Sequence, residues 1–357
     1  MLLPHAILPR VPASLDYIVP LADIVSARDR IVGPLHRTPV MTSATAAAWV
    51  TAATGITIAD DRLYLKAEHL QKTGSFKPRG MTNRIATLTA DERSRGVITL
   101  SAGNAGQAYA WAGRSAGVAV TVVMPAGAVR SKVDACLGYG AHVVLHGAHV
   151  GETFAEMERI RDADGLRFVH PFDDPAVIAG HGSIGLELLE DTPDLDVVVV
   201  GVGGGGLISG VAAALKEQRP GVRVYGIEPV RSNAMSLAME RNEVVQINPE
   251  SVADGLGAPF AGVWTLAMAQ RYLDDVILID DPTILAGMRF AMERMKQVLE
   301  PAGAAALAAV LAGSVPIHDG ERVAVVLSGG NVEVDRIGEL LSMAGSLPGA
   351  DPRPGSS

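Results

Sequence analysis

The segment KTGSFKPRG places Lys77 between an aromatic residue and a proline in a chain that otherwise prefers arginine, with six lysines against 24 arginines. Arginine stays charged at any ordinary pH and makes no stable imine. A desolvated lysine amine can shed its proton near neutrality and condense with a carbonyl. Ser75 is placed to cap the helix that follows, and Pro78 in its first turn lacks only an amide that had no partner there. A second polar loop, SAGNAGQAYAWAG from Ser101 to Gly113, opens a helix whose first amides can face an anion. An N-cap and turn made by Ser and Asn is the commoner reading of that loop taken alone. A third, VAVVLSGGN, ends in Ser328, Gly329, Gly330 and Asn331, where the serine hydroxyl is either a ligand contact or another cap.

The most glycine-rich loop lies in DVVVVGVGGGGLISGVAAALKE, a strand, a turn and a helix. Its glycines permit close approach, and the amides at the helix start favour a phosphate. The same loop also matches GxGxxG through Gly201, Gly203 and Gly206. Glu228 ends the next strand where a dinucleotide-binding protein places its ribose-binding acid. A nicotinamide-dependent dehydrogenase and a purely structural turn therefore both stay open on this segment. Such a dehydrogenase would leave the two polar loops of the first half unexplained.

The elements that must position these loops are legible as short β-branched runs alternating with Ala-rich segments of helical period. The runs are RLYLKAE, GVITL, VAVTVVMP, AHVVLHG, LRFVHP, DVVVVGVG, VRVYGIEP, DVILIDD and RVAVVLSGG. Continuous apolar strands separated by helices predict an α/β protein with mainly parallel sheet covered on both faces. Functional loops are then expected at the carboxyl ends of the strands. With 357 residues, 48% of them hydrophobic, the chain can bury one or two substantial cores. A net charge of −9 without long charged runs disfavours nucleic acid and membrane partners. No apolar run approaches the roughly 20 residues of a membrane span. Cys136 is the only cysteine, which rules out an internal disulfide, points to a reducing cytoplasm and suits a buried core position. The opening MLLPHAILPRVPASL lacks a basic stretch, so no cleaved signal is expected. The final LPGADPRPGSS reads as a loose tail.

SFKPRG, SAGN, GGGG and SGGN, in this order and at these intervals, resemble the fold type II pyridoxal-phosphate enzymes, whose architecture is that of the tryptophan synthase β chain. More closely, QKTGSFKPRG, HPFDDPAVIAGHGSIGLELLE, ERMKQVLEPAGAAALAAVL and VLSGGNV are similar to the serine/threonine dehydratase (threonine ammonia-lyase) and serine racemase group, over residues 20 to 343. The resemblance implies two open twisted sheets covered by helices. It implies a large cofactor domain of residues 1–95 and 173–345, a small mobile domain of residues 96–172 and a tail of residues 346–357. It also implies that Lys77 forms the Schiff base with pyridoxal 5'-phosphate, that Phe76 lies against the cofactor ring and that Asn104 bonds its 3-hydroxyl. Gly203, Gly204, Gly205, Gly206 and Leu207 would hold the phosphate, and Ser328 would meet the pyridine nitrogen. Ser101, Ala102, Gly103, Asn104 and Ala105 would receive the substrate carboxylate, with Gly255 at the side-chain end of the pocket.

The implied activity converts L-threonine or L-serine to a 2-oxo acid and ammonia by α-proton abstraction and β-elimination. A serine cannot keep the pyridine nitrogen protonated, which favours prompt elimination over transamination. No obvious acid sits in the loops, so the leaving hydroxyl is expected to take its proton from the cofactor phosphate. Ala102 stands where racemases of this group carry a reprotonating serine, so racemisation should be low. Ala105 replaces the usual histidine, which makes the pocket wall roomier and keeps larger β-hydroxy amino acids in view. A lyase or racemase for such a substrate is the alternative within the group, and a non-catalytic cofactor-binding protein is a further one. The racemase-type cation site has its glutamate in Glu228 but Ala234 in place of its aspartate, and no metal site is assigned. His142, His146 and His149 are spaced too widely along a strand for one ion. Asp280, Asp281 and Pro282 read as a helix N-cap and first turn, and Glu300 as either a helix-end acid or a neighbour of the cofactor. The expected partner is a small-molecule amino acid, and the expected assembly a homodimer or higher homo-oligomer.

Overall fold

The computed structural model describes residues 18–349. The opening segment read as lacking a signal and the end of the expected tail lie outside them. Ten strands form among the described residues: β1 (Val40–Ser43), β2 (Leu63–Lys66), β3 (Val97–Leu100), β4 (Val120–Met124), β5 (His142–Leu145), β6 (Arg167–Phe168), β7 (Val197–Gly201), β8 (Arg223–Pro229), β9 (Asp275–Ile279) and β10 (Val323–Val326). They make a six-stranded sheet in the order β1-β2-β10-β7-β8-β9 and a four-stranded sheet in the order β5-β4-β3-β6. Every pairing is parallel except β1 with β2. All nine runs read as strands contain one, and β1 is the addition. Its sequence, VMTS, is short and half polar, and an antiparallel edge strand needs no continuous apolar run.

The strand sequences explain the layers. In β7, Val197 and Val199 enter one core with the helix Pro301–Leu311, while Val198 and Val200 enter a second with the helix Gly206–Gln218. Alternation with both faces apolar is what a doubly covered parallel sheet requires, and each such valine contributes about 1.5–3 kcal/mol on burial. The smaller sheet repeats the pattern, with Val97 and Val122 facing the helix Asn104–Ala116 and Ile98 and Val123 facing the helix Val150–Asp164. Parallel pairing puts the carboxyl ends of β2, β7 and β10 on the same side, so the loops after them gather there. Close backbone packing fixes those loops: a Cβ on Gly303 would lie 2.0 Å from the Gly329 carbonyl oxygen, so the helix Pro301–Leu311 rests directly on the SGG turn.

The helix Lys77–Ala86 is fixed by two devices. Gly80 and Gly180 let it touch the backbone of the helix Pro175–Asp191, since a Cβ on Gly180 would lie 2.4 Å from the Arg79 carbonyl oxygen. Beneath it, Arg79 Nε and Nη2 donate to Glu68 at 2.8 and 2.9 Å, and Arg79 Nη1 donates to Glu187 at 2.7 Å. Lys66 Nζ also donates to Glu187, at 2.6 Å. Two cations and two anions thus neutralise one another in the interior, with every member bonded. At the chain end, Trp49 Nε1 donates to the Pro348 carbonyl at 3.0 Å and Leu347 packs against the larger core. The segment expected to be loose from residue 346 is therefore held at its start.

Candidate active site

Lys77 is the first residue of its helix, and the helix entry is tied to the last polar loop. The Phe76 amide donates to the Ser328 carbonyl at 3.0 Å, and Ser75 and Gly329 form an antiparallel bridge. Ser75 does not cap the helix as its position suggests. Phe76 occupies the cap position, and Ser75 Oγ is buried without a hydrogen-bond partner, because the bridge turns its side chain into the packed Gly329 segment. Lys77 Nζ donates to the Pro171 carbonyl at 3.0 Å and lies 5.0 Å from the centre of the Phe76 ring. Burial pushes its pKa down to about 8, against a smaller upward pull from Glu300. An amine so placed is part neutral near physiological pH, which is what a nucleophile or base needs.

The glycine loop follows β7 and ends at Gly205, whose φ of +90° is a left-handed conformation that side chains rarely adopt. A Cβ on Gly204 would lie 2.4 Å from the Phe172 ring, and one on Gly206 would lie 2.7 Å from the Phe172 carbonyl oxygen. The loop is thus pressed against the segment His170–Asp173 and opens onto the amino end of the helix Gly206–Gln218, where the first amides lack intrahelical acceptors. The acid that a dinucleotide reading needs is not available. Glu228 is fully buried and accepts hydrogen bonds from the amides of Met235 at 2.8 Å and Ser236 at 2.9 Å, capping the helix Ala234–Arg241. Burial raises its pKa to about 8 in spite of those amides. Ala234 offers no second carboxylate beside it.

The SAGN loop joins from the other sheet. Ser101 Oγ accepts from the Gly103 amide at 3.2 Å, and Asn104 is the first residue of its helix. Asn104 Nδ2 donates to Glu300 Oε1 at 2.7 Å, and Asn104 Oδ1 accepts from Asn331 Nδ2 at 2.8 Å. Asn331 Nδ2 also reaches the Thr73 carbonyl at 2.7 Å, where Thr73 holds a left-handed φ of 59°. Three loops far apart in sequence are therefore sewn together beside Lys77. Burial raises the Glu300 carboxyl to about 8, with Asp254 pushing the same way, so it is largely protonated at neutral pH. Glu300 Oε1 lies 2.2 Å from where a Cβ on Gly329 would stand, so a side chain there would displace the carboxyl group from Asn104.

One cavity of about 1090 Å³ is lined by every residue singled out above for cofactor or substrate: Phe76, Lys77, the Ser101–Ala105 loop, Gly203 to Leu207, Gly255 and Ser328. Ser328 Oγ lies 3.5 Å from the Ala302 carbonyl, a long contact that leaves the hydroxyl free to turn. Across the cavity, Lys132 on the helix Arg130–Gly138 pairs with Asp254, and Ser131 Oγ donates to Glu333 Oε1 at 2.6 Å. These contacts join the smaller sheet's side to the larger. A low-pKa amine, an anion-facing helix start with a glycine cradle, and a neutral serine hydroxyl suit an aldehyde that carries a phosphate and an aromatic nitrogen. Pyridoxal phosphate is that molecule, and the residues present fit it.

The sequence had not singled out His170, Phe172 or Asp173, which also line the cavity. Nor had it seen an acid there, yet burial lifts Asp173 to about 6 while its carboxylate accepts from the Val263 and Thr265 amides at 3.0 and 3.1 Å. Their signal was the polar HPFDD run at the end of β6. Asp280 does cap a helix, accepting from the Thr283 amide at 2.9 Å, and Cys136 is buried.

The family described as pyridoxal-phosphate dependent enzyme matches residues 37–329. An L-threonine ammonia-lyase of Thermotoga maritima is 40% identical over 326 residues, which span 91% of this chain and 79% of that protein. The catabolic L-threonine dehydratase TdcB of Escherichia coli is 36% identical over 331 residues, spanning 91% and 97% of the two. Among solved structures, maize serine racemase superposes with a TM-score of 0.84 at 33% identity, covering 91% of this chain and 98% of that one.

Proposed function

The chain belongs to the pyridoxal-phosphate dependent enzyme family, and we propose that it is an ammonia-lyase that converts L-threonine or L-serine to the 2-oxo acid and ammonia. The observation that carries this reading is Lys77, an amine lowered to about 8, in one cavity with the glycine cradle and the SAGN loop. The relatives named for threonine support the same substrate class.

When bound, pyridoxal phosphate supplies an aldehyde for amino groups and a ring that delocalises the electron pair left by the α-proton. The residues that would hold it are Lys77 at the aldehyde, Gly203 to Leu207 at the phosphate, Asn104 at the ring hydroxyl, Ser328 at the ring nitrogen and Phe76 on the ring face. The amides from Ser101 to Ala105 receive the substrate carboxylate at the start of the helix Asn104–Ala116. Lys77, neutral after displacement by the substrate amine, takes the α-proton on Nζ. Asn104, held by Glu300 and Asn331, keeps its amide in one orientation. Residues 96–172 act as the smaller domain, which closes over the substrate and excludes water. The Lys132–Asp254 and Ser131–Glu333 contacts mark where the halves meet.

A cytoplasmic setting accords with a single, buried cysteine, and a homodimer or higher homo-oligomer is the assembly we expect. No helix among the described residues is long and apolar enough to cross a membrane. A panel of L-amino acids scored for ammonia and 2-oxo acid tests the reading. Release from L-threonine or L-serine is expected, and inertness towards all β-hydroxy amino acids by a protein that carries the cofactor would point instead to a binding protein.

A further inference from the structure

We infer that His170 is a specificity-determining residue that recognises the substrate's β-hydroxyl, donating a hydrogen bond from Nε2–H. This deepens the lyase reading and rests on it for the identity of the ligand. His170 lines the cavity one residue before Pro171, whose carbonyl holds Lys77 Nζ at 3.0 Å. Its Nδ1 accepts hydrogen bonds from the amides of Asp173 at 2.8 Å and Phe172 at 3.3 Å. An acceptor nitrogen carries no proton, so the neutral ring must carry its proton on Nε2. The backbone that aims the ring is itself fixed, because Tyr109 Oη donates to the His170 carbonyl at 2.9 Å.

The walls around the ring are apolar. Phe172 meets it edge to face at 4.5 Å between centroids, Phe168 at 5.8 Å, and Phe260 stands 6.3 Å away. With Nδ1 already engaged, Nε2–H is the polar atom that His170 has left to offer the cavity. Burial and the charge of Lys77 hold the imidazole neutral, with its pKa pushed down to about 3. It therefore binds an oxygen without giving up its proton. A substrate with a β-hydroxyl satisfies this donor. One with only a methyl group there leaves it unpaired among aromatic rings, and a site built this way discriminates against the missing hydroxyl.

The test compares two ligands that lack an α-proton and so cannot be turned over, α-methyl-L-serine and 2-aminoisobutyrate, titrated into the cofactor-loaded protein. Wild type should prefer the hydroxylated ligand about tenfold. His170→Phe, which keeps the ring shape and removes the donor, should abolish that preference by weakening α-methyl-L-serine binding without weakening that of 2-aminoisobutyrate, and His170→Gln should restore part of it. In protein labelled with 15N-histidine, the Nε2–H resonance should shift with α-methyl-L-serine and not with 2-aminoisobutyrate, a readout that needs no variant to fold. A preference retained in His170→Phe, an equal loss for both ligands, or identical shifts would overturn the assignment. If the hydroxyl preference behaves as stated but wild type releases no ammonia from L-serine or L-threonine, the lyase reading fails and the role of His170 stands.

Discussion

Replacing Lys77 by methionine should make the cofactor-free protein more stable at neutral pH, and should abolish the proposed activity. The amine falls from 10.5 to about 8 because the folded cavity desolvates its charge. The unfolded chain therefore binds more protons than the folded one between those values, and wild-type stability rises with pH across that window. Below pH 8 the charged amine destabilises the fold in full, and above 10.5 the effect is gone. A shift of roughly 2.5 units corresponds to about 3 kcal/mol. Methionine fills a similar volume without a charge, so Lys77→Met should gain up to about that amount near pH 7 and lose its advantage as the pH approaches 10.5. Glu228, Glu300 and Asp173 also titrate with raised values. Glu228 and Asp173 cancel between the two proteins, whereas Glu300, whose carboxyl the Lys77 charge pulls down, adds a smaller contribution to the difference. Urea unfolding of both cofactor-free proteins from pH 6.5 to 10.5 measures it. A variant no more stable than wild type at pH 7, or one whose advantage does not change with pH, would refute the desolvated amine.

Gly204→Ala drives a methyl group to 2.4 Å from the Phe172 ring. The overpacking should cost about 1–3 kcal/mol of stability in urea unfolding of the cofactor-free protein, and the displaced loop should bind the cofactor more weakly in a titration. Arg79→Leu leaves Glu68 and Glu187 with fewer cations in the interior and should destabilise the fold by about 3–5 kcal/mol in urea unfolding. Ala102→Ser should raise racemisation relative to elimination, read as D-serine against pyruvate formed from L-serine, and an unchanged ratio would count against that role for position 102.

The sequence made the fold legible because its strands are short, β-branched and apolar on both sides, as VVVVG in β7 illustrates. It missed β1, where VMTS lacks that pattern and pairing with β2 supplies the order instead. The cavity-lining loops were legible because glycine, serine, asparagine and lysine were concentrated just after strands. What was not legible depends on contacts distant in sequence. The fork of Arg79 joins residues 11 and 108 positions away. The protonated state of Glu300 comes from burial that no local pattern encodes. Ser75 had the right type and position for a cap, yet the bridge to Gly329 decides where its hydroxyl goes. His170 looked like a strand-end residue, and only the backbone turn through Asp173 gives it a defined tautomer.

Whether Lys77 carries the cofactor is decided by borohydride reduction followed by peptide mass mapping. One phosphopyridoxyl group is expected, on the peptide that contains Lys77, with no incorporation in Lys77→Ala. A label on Lys72, Lys132 or any other lysine, or no label in a protein that retains the cofactor, would contradict it.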